Sequence, residues 1–388
     1  MKKIWNVKML IVIVLICVLF YSIFMGYYIN YFSHGHSMSE EVGYSVEMTQ
    51  RYGPTLEAEE HSEFVTETRE DLIDKADTYI KVTPILSEAG IHTYEDFERI
   101  RLKRDMTEME KNAIWTLFGR GEDSSFVGFN LQAINIIEGR LDEYQFILDR
   151  LASETTSEKK LARIMEIRET EEYRNIMDRW VFDNTVTYTK ELAILAVLAV
   201  LIFVSALIVT DRSRNVHLLQ YTAKQGRRIL KQQLIAVILS AFLLTTALIL
   251  VFGAIYSSNG TWLFWNNGLT SFLNRQSVAF WFDITYGQYI MVYIVLLYML
   301  CLGAAAAAFV LSRLSKNSIT LILKLIPAFA LLVALSRSVF VTLFSFDNIL
   351  VEVTGIIGIE SIVCGAVLIL GLALSLYMVR REKKVEVI

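Results

Sequence analysis

Six long apolar runs constrain this chain more than any other feature of its sequence. They cover approximately residues 9–29, 191–210, 234–256, 289–311, 319–344 and 358–379. A helix of about 20 residues crosses a hydrocarbon core of about 30 Å, and a segment in lipid must satisfy its backbone polar groups internally. Hydrophobic residues make up 54% of the 388 residues, too many for an ordinary soluble domain. The sequence therefore predicts an all-α integral membrane protein with six transmembrane helices.

The first apolar run has two interpretations. Lys2, Lys3 and Lys8 precede or enter it, as in a cleaved signal peptide. The apolar stretch continues through Tyr27 and Tyr28, however, and contains no small-residue cleavage site. We therefore expect an uncleaved first span.

Positive charge is concentrated at four places near the ends of the spans. These are the start of the chain, the connector 211–233, the turn with Arg313 and Lys316, and the closing sequence "RREKK". With six spans, all four lie on one side of the membrane, which the excess of Lys and Arg predicts to be the cytoplasm. Both termini are then cytoplasmic. Residues 30–190, with 33 Asp and Glu against 19 Lys and Arg, form an acidic extracellular segment.

The chain divides into three parts on this basis. Residues 1–29 hold an N-terminal cytoplasmic segment and the first span, and residues 30–190 an extracellular helical domain. Residues 191–388 form a five-helix transmembrane domain that includes the connector 211–233 and an outer loop, 257–288. That outer loop is rich in Trp and Phe, which favours short interfacial or re-entrant helices.

The segment 30–190 shows helical rather than alternating patterning. "TYEDFERIRLKRDM" and "TEMEKNAIWTLF" each begin with Thr and carry Asp96 or Glu110 three residues later, the pattern of an N-terminal capping box. A further helix places apolar residues on one face: Leu131, Ile134, Ile137, Leu141, Tyr144 and Leu148. The stretch that follows predicts a helix running nearly into the second span.

Two features inside the predicted spans stand out. Arg337 and Glu360 both lie towards the outer ends of their spans, and charges in a membrane are costly enough that the two side chains could pair. The run "GAAAAAF" contains Gly303 to Ala308. Small residues allow close helix approach, so we expect this run to pack against another span or subunit.

No motif for catalysis is present in the chain. It has no GxxxxGK[ST], HExxH or GxSxG sequence. His34 and His36 lack a third ligand with suitable spacing, so we expect no metal site and no cofactor bound by this chain. The sequence also offers no feature for binding nucleic acid.

The connector "DRSRNVHLLQYTAKQGRRILKQQ" holds six Lys or Arg and one Asp. If the connector only set the orientation of the spans in the membrane, its positive charge would be enough. The pattern goes further, because Val216, Leu219 and Ala223 lie on one face of a helix predicted over 214–224. Gly226 then ends that helix, and a basic lead-in enters the third span.

This connector resembles the cytoplasmic loop between the second and third spans of type-2 ABC transporter permeases. In those loops an acidic or polar start, a helix and a glycine-punctuated basic lead-in recur. The matching stretch is Asp211 followed by "LLQYTAKQGRRILKQQ", although the family usually has Glu where this chain has Asp211. The layout of one span, a large external domain and five further spans is similar to the drug, antibiotic and sodium exporter branch.

The resemblance implies a non-catalytic transmembrane subunit of an ATP-driven exporter in a bacterial plasma membrane. Its connector helix would dock into a separate ABC ATPase subunit, which would bind ATP and Mg. The residues that the resemblance implies for this coupling are Asp211, Arg214, Val216, Leu219, Lys224, Gly226, Arg227 and Arg228. A homodimer, or a heterodimer with a second permease, would export a peptide, drug, lipid or ion.

A different class of function remains open from the residues themselves. The chain could be a membrane sensor or assembly protein whose extracellular helices bind a ligand, with no transport. A membrane-embedded enzyme is disfavoured, since no predicted span carries a cluster of His, Asp or Glu.

Overall fold

The computed structural model describes residues 5–30, 36–118, 127–213, 226–274 and 279–383. Within these ranges the chain is helical, and its only extended pairings are isolated bridges. The α-helices are α1 (Val7–Phe20), α2 (Tyr27–Asn30), α3 (His36–Tyr52), α4 (Ala58–Val82), α5 (Pro84–Glu88), α6 (Tyr94–Arg101), α7 (Glu108–Phe118), α8 (Val127–Glu154), α9 (Glu158–Glu169), α10 (Arg179–Ser213), α11 (Gly226–Ser257), α12 (Tyr286–Arg313), α13 (Ser318–Phe340), α14 (Ile349–Thr354) and α15 (Ile359–Lys383). A π-helical turn, Tyr21–Met25, extends α1, and a 3-10 turn, Thr261–Phe264, precedes α12.

Six of these helices are long and apolar enough to cross a membrane, which confirms the predicted all-α chain with six membrane-spanning helices. They contain span 1 (Val7–Met25), span 2 (Arg179–Ser205), span 3 (Ile229–Ser257), span 4 (Tyr286–Arg313), span 5 (Ser318–Phe340) and span 6 (Ile359–Glu382). Spans 1 and 2 run in opposite directions, as do spans 2 and 3: Trp5 packs against Phe203, and Asn184 donates to the Tyr28 carbonyl and the Tyr256 hydroxyl. The bundle therefore has an insert end, where the helices between spans 1 and 2 lie, and a connector end, where span 2 ends and span 3 begins.

Span 4 lies at the centre of the bundle. It packs against spans 2, 3 and 6, and span 2 packs in addition against span 5. The predicted close approach of the small-residue run is confirmed. A Cβ added at Gly303 would lie 2.8 Å from the backbone oxygen of Val367 in span 6, and Gly371 meets the Gly303 oxygen in the same way.

The second span begins earlier than the apolar run that predicted it. Its helix starts at Arg179 rather than at residue 191, while the domain boundary at residue 190 stays a prediction. The polar residues of its first turns are held by protein contacts. Thr185, for example, is fully buried, and Lys190 pairs with Glu191 at 3.1 Å. Hydropathy alone therefore places the start of this helix too late.

Helices α3 to α9 form the segment between spans 1 and 2, called the insert below. Thr107 makes the predicted capping box: its Oγ1 accepts from the Glu110 N–H at 3.2 Å, and its own N–H donates to the Glu110 carboxylate at 2.8 Å. Thr93 caps α6 through the Asp96 N–H, also at 3.2 Å. The Asp96 carboxylate turns back to the His92 N–H.

The predicted apolar face of α8 is confirmed, because Leu131, Ile134, Ile137, Tyr144 and Leu148 are all buried. The continuous helix predicted from α9 towards span 2 is wrong. Helix α9 ends at Glu169, and residues 170–178 form a turn and bridges to the loop before span 4. Backbone pairing with a distant segment replaces the local helical hydrogen bonds there.

The aromatic loop 257–288 is also less helical than predicted. Between Ser257 and Tyr286 its described residues contain a single 3-10 turn and otherwise irregular chain with isolated bridges. Phe272, Leu273 and Ala279 from this loop enter the apolar core of the insert. Contacts with the insert therefore determine the path of this loop.

Candidate functional site

The residues expected to couple to an ATPase lie in the connector 211–233, and four of the eight are outside the described residues. Arg214, Val216, Leu219 and Lys224 lie outside the described residues, so their roles stay predictions. The backbone of Asp211 belongs to the last turns of α10. The backbone of Gly226, Arg227 and Arg228 forms the first turn of α11.

A large apolar cavity opens in the connector-end half of the bundle. It has a volume of about 510 Å³ and is lined by spans 1, 2 and 5. Its wall includes Met9 from span 1, Leu198 and Ile202 from span 2, and Leu321, Leu325 and Phe329 from span 5. We call it the connector-end cavity. Its lining suits an apolar or amphipathic molecule, because few polar atoms face it.

Two of the three spans that line this cavity, spans 1 and 5, are the least buried of the six described spans. Within the most apolar 18 residues of each span, 6% are buried in span 1 and 11% in span 5, against 72% in span 2. Most residues of spans 1 and 5 are thus exposed or only partly buried within one chain. The mean hydropathy follows the same order, at 2.8 for span 1, 2.3 for span 5 and 1.9 for span 2, so the sequence carried a partial signal for the buried position of span 2.

Glu360 does not form the ion pair predicted for it. Its Oε1 accepts hydrogen bonds from the Phe344 N–H at 3.0 Å and the Asn348 side-chain amide at 2.8 Å. The carboxyl is fully buried, whereas Arg337 is exposed and no described ion pair joins the two. The structure therefore does not bring these two side chains together. The positions of Arg337 and Glu360 along their spans predicted a similar depth in the membrane, but not that the Arg337 side chain faces away from Glu360.

Glu360 instead holds the turn between spans 5 and 6. Phe344 has a φ of 61°, a backbone conformation that non-glycine residues rarely adopt. Its N–H is bound by Glu360, and its carbonyl accepts from the Trp281 N–H at 2.8 Å. These two bonds fix the strained residue and connect the turn to the loop before span 4.

A network of buried hydrogen bonds joins the insert to that same loop. Asn175 donates through its side chain to the Thr270 carbonyl at 3.2 Å and accepts from the Gly268 N–H at 3.2 Å. Ser271 donates to the Asn175 carbonyl at 2.6 Å. A Cβ at Gly268 would overlap the Asn175 side chain. The loop is therefore fitted to the residues just before span 2.

A buried arginine makes a second connection between the insert and the loop. Arg163 of α9 donates to the Phe280 carbonyl at 3.0 Å and to both oxygens of Glu172, at 2.7 and 2.5 Å. Both side chains are at most 7% exposed. A buried, bidentate pair of this kind constrains geometry strongly, because neither charge can be left alone.

Asp178 caps the start of span 2 in a buried position. Its Oδ1 accepts from the Trp180 N–H at 2.7 Å and the Val181 N–H at 3.3 Å. Burial raises the pKa of Asp178 to about 7, against these hydrogen bonds and with a further contribution from Glu41 and Asp183. The charged form is therefore disfavoured in the folded protein near neutral pH.

This environment predicts a pH-dependent stability. The folded-state pKa lies above the unfolded value near 3.8, so the folded protein binds the extra proton between about pH 4 and 7 and loses stability as the pH rises through that window. Asp178→Asn retains a capping oxygen. We expect it to melt at a higher temperature than the wild type above pH 7 and to match it near pH 4, measured in detergent at both pH values. If the difference in melting temperature between Asp178→Asn and the wild type were the same at both pH values, the raised pKa of Asp178 would be contradicted.

Comparison of the chain with models of known protein families, with curated proteins and with solved structures gave no match. The fold, the connector-end cavity and the sequence of the connector are therefore the observations from which a function can be argued. His34, considered above as a metal ligand, lies outside the described residues.

Proposed function

We propose that this chain is the transmembrane permease subunit of an ATP-binding cassette exporter. The observation that carries the proposal is the connector-end cavity, which is large, apolar and lined by spans 1, 2 and 5. An exporter needs such a compartment to accept a hydrophobic or amphipathic substrate before moving it across the membrane. A sensor that only binds a ligand through its extracellular helices has no need of it.

The exposure of spans 1 and 5 supports a dimer of permeases. Because these two spans bury almost none of their residues within one chain, a second copy or a sister permease can pack against them. The cavity would then lie between the two subunits and become part of an enclosed pathway. A helical extracellular domain over the other end of that pathway follows from the predicted topology in a bacterial plasma membrane.

The two helices that enclose the connector support coupling to an ATPase. Helix α10 continues to Ser213, past the predicted apolar run that ends at residue 210. Helix α11 begins at Gly226, before span 3. A docking element held between two continuous helices can transmit a movement of a partner to both spans. This chain would itself bind no nucleotide, and ATP with Mg would belong to the separate ATPase subunit.

Docking and topology place different demands on the connector, which makes the proposal testable. We expect the double change Val216→Asp and Leu219→Asp to release the ATPase and abolish ATP-dependent export. Each apolar side chain fully buried in a groove contributes about 1.5–3 kcal/mol, and the two aspartates reverse that contribution. The measurements are copurification of the ATPase with the tagged chain and the ATPase activity of the complex.

The control keeps all six basic residues of the connector and tests whether insertion is intact. A cysteine near Glu122 should react with an impermeant reagent in intact cells, and one at Ser213 should not, in wild type and double variant alike. If the variant retains its ATPase and its coupled activity, the connector serves topology alone. Copurification of a kinase or regulator, with no ATPase, would favour the sensor.

A further inference from the structure

A second cavity lies at the insert end of the bundle, on another face from the connector-end cavity. It has a volume of about 170 Å³ and is enclosed by spans 2, 3 and 4 together with the 3-10 turn. Its wall includes Tyr188, Gly253, Trp265, Ile290 and Tyr293. We call it the insert-end cavity. Nothing in the proposed function assigns it a role.

The polar atoms of its tyrosines are already used within the protein. The hydroxyls bond as follows: Tyr188 to the Phe252 carbonyl at 2.8 Å, Tyr293 to the Thr189 carbonyl at 2.7 Å, and Tyr256 and Tyr286 to Thr185 Oγ1 at 2.8 and 3.0 Å. These groups anchor the wall and leave it apolar towards the cavity. An occupant with hydrogen-bonding groups inside would find no free hydroxyl on these four residues, so the chemistry favours hydrocarbon.

Two glycines shape the cavity in opposite ways. A Cβ at Gly287 would lie 2.5 Å from the Trp265 ring, so glycine there lets the indole pack against span 4. A Cβ at Gly253 would meet no atom within 4 Å. Glycine inside a helix is unfavourable relative to alanine. Here it leaves open a volume that a large side chain such as Leu or Phe would fill.

The surroundings of the mouth indicate where an occupant comes from. The neighbouring Leu250, Val251 and Met291 are exposed apolar residues of spans 3 and 4, the kind of surface that faces lipid. Trp262 and Trp265 border the cavity with 68% and 45% of their surface exposed. Tryptophan is characteristic of the membrane interface. The cavity thus opens sideways into hydrocarbon, just beneath the headgroup level.

We propose that the insert-end cavity binds one acyl chain of a lipid, with the headgroup outside near the two tryptophans. An acyl chain is the apolar, elongated group that the bilayer supplies at this mouth. It would gain no hydrophobic transfer energy on leaving the bilayer. It would gain the dispersion contacts that an unfilled apolar space forfeits. This site is independent of whether the chain partners an ATPase.

The test uses the full-length protein in vesicles that contain a phosphatidylglycerol with a diazirine in one acyl chain. After illumination, peptide mass spectrometry locates the adducts. We expect the label to concentrate on the cavity segments of spans 3 and 4. Gly253→Phe and Gly253→Leu, which fill the space, should each lower labelling there by about tenfold, the equivalent of about 1.4 kcal/mol. Gly253→Ala should retain most of it.

The matched control is Gly365→Phe in span 6, where an added Cβ also meets no atom within 4 Å but which does not line the cavity. It should leave labelling unchanged. In the wild type, added unlabelled lipid should lower labelling of the cavity segments at a lower concentration than it lowers labelling of other lipid-facing segments. This measurement needs no variant. Even labelling of all lipid-facing segments without preferential competition would mean ordinary surrounding lipid and would overturn the proposal.

Discussion

Arg163→Met is expected to lower the free energy of unfolding by about 3–5 kcal/mol, because it leaves the buried carboxylate of Glu172 without its partner. The two side chains are at most 7% exposed, and Arg163 also donates to the Phe280 carbonyl. Methionine fills similar space without the charge. The measurement is chemical denaturation of the full chain in detergent, monitored by its helical signal.

Two comparisons make this result specific. Lys75→Met breaks an ion pair with Asp71 in which both side chains are about 60% exposed, and it should change stability by no more than about 1 kcal/mol. The double variant Arg163→Met with Glu172→Leu should recover most of the loss, since no unpaired charge remains. If Arg163→Met cost no more than Lys75→Met, the buried pair would not be what holds α9 to the loop.

The second large effect is expected at the contact between spans 4 and 6. Gly303→Leu would place a Cβ 2.8 Å from both the Cγ1 atom and the backbone oxygen of Val367. A side-chain atom can rotate away, but the backbone oxygen cannot without moving span 6. Overpacking of this kind costs about 1–3 kcal/mol or more. We expect a large fall in the melting temperature and loss of a single monodisperse peak in size-exclusion chromatography.

Gly365→Leu in span 6 is the matched control, since an added Cβ there meets no atom within 4 Å. It should behave as the wild type does. Gly303→Ala should fall between the two, because even its single methyl group meets the Val367 oxygen. Equal stability of Gly303→Leu and Gly365→Leu would show that spans 4 and 6 can separate without cost.

The Arg163–Glu172 pair and the contact between Gly303 and Val367 belong to closely packed parts of the protein, whereas other parts are open. Spans 2 and 4 are the most buried, span 4 packs closely against span 6, and the insert is fastened to the loop 257–288 by Arg163 and Asn175. Spans 1 and 5 remain exposed around the connector-end cavity. For a permease, this division would let a second subunit meet the open face while the packed core keeps its shape.

The sequence by itself determined the six helices that are long and apolar enough to cross a membrane. The length and apolarity of a segment suffice for this, because a single segment that crosses lipid must form a helix to satisfy its backbone hydrogen bonds. Local patterns also sufficed for the cap at Thr107 and the buried face of α8, since both depend on residues three or four positions apart. The close packing at Gly303 followed from its small neighbours.

Tertiary structure decided whatever depends on residues distant in the chain. The helix of span 2 begins at Arg179, because partners from other segments bury polar residues that hydropathy assigns to water. Residues 170–178 leave the helical pattern to pair with the loop before span 4. Glu360 binds Phe344 and Asn348 rather than Arg337, since the direction in which a side chain faces depends on helix rotation. The two cavities likewise arise only where several spans meet, and no single span carries their signature.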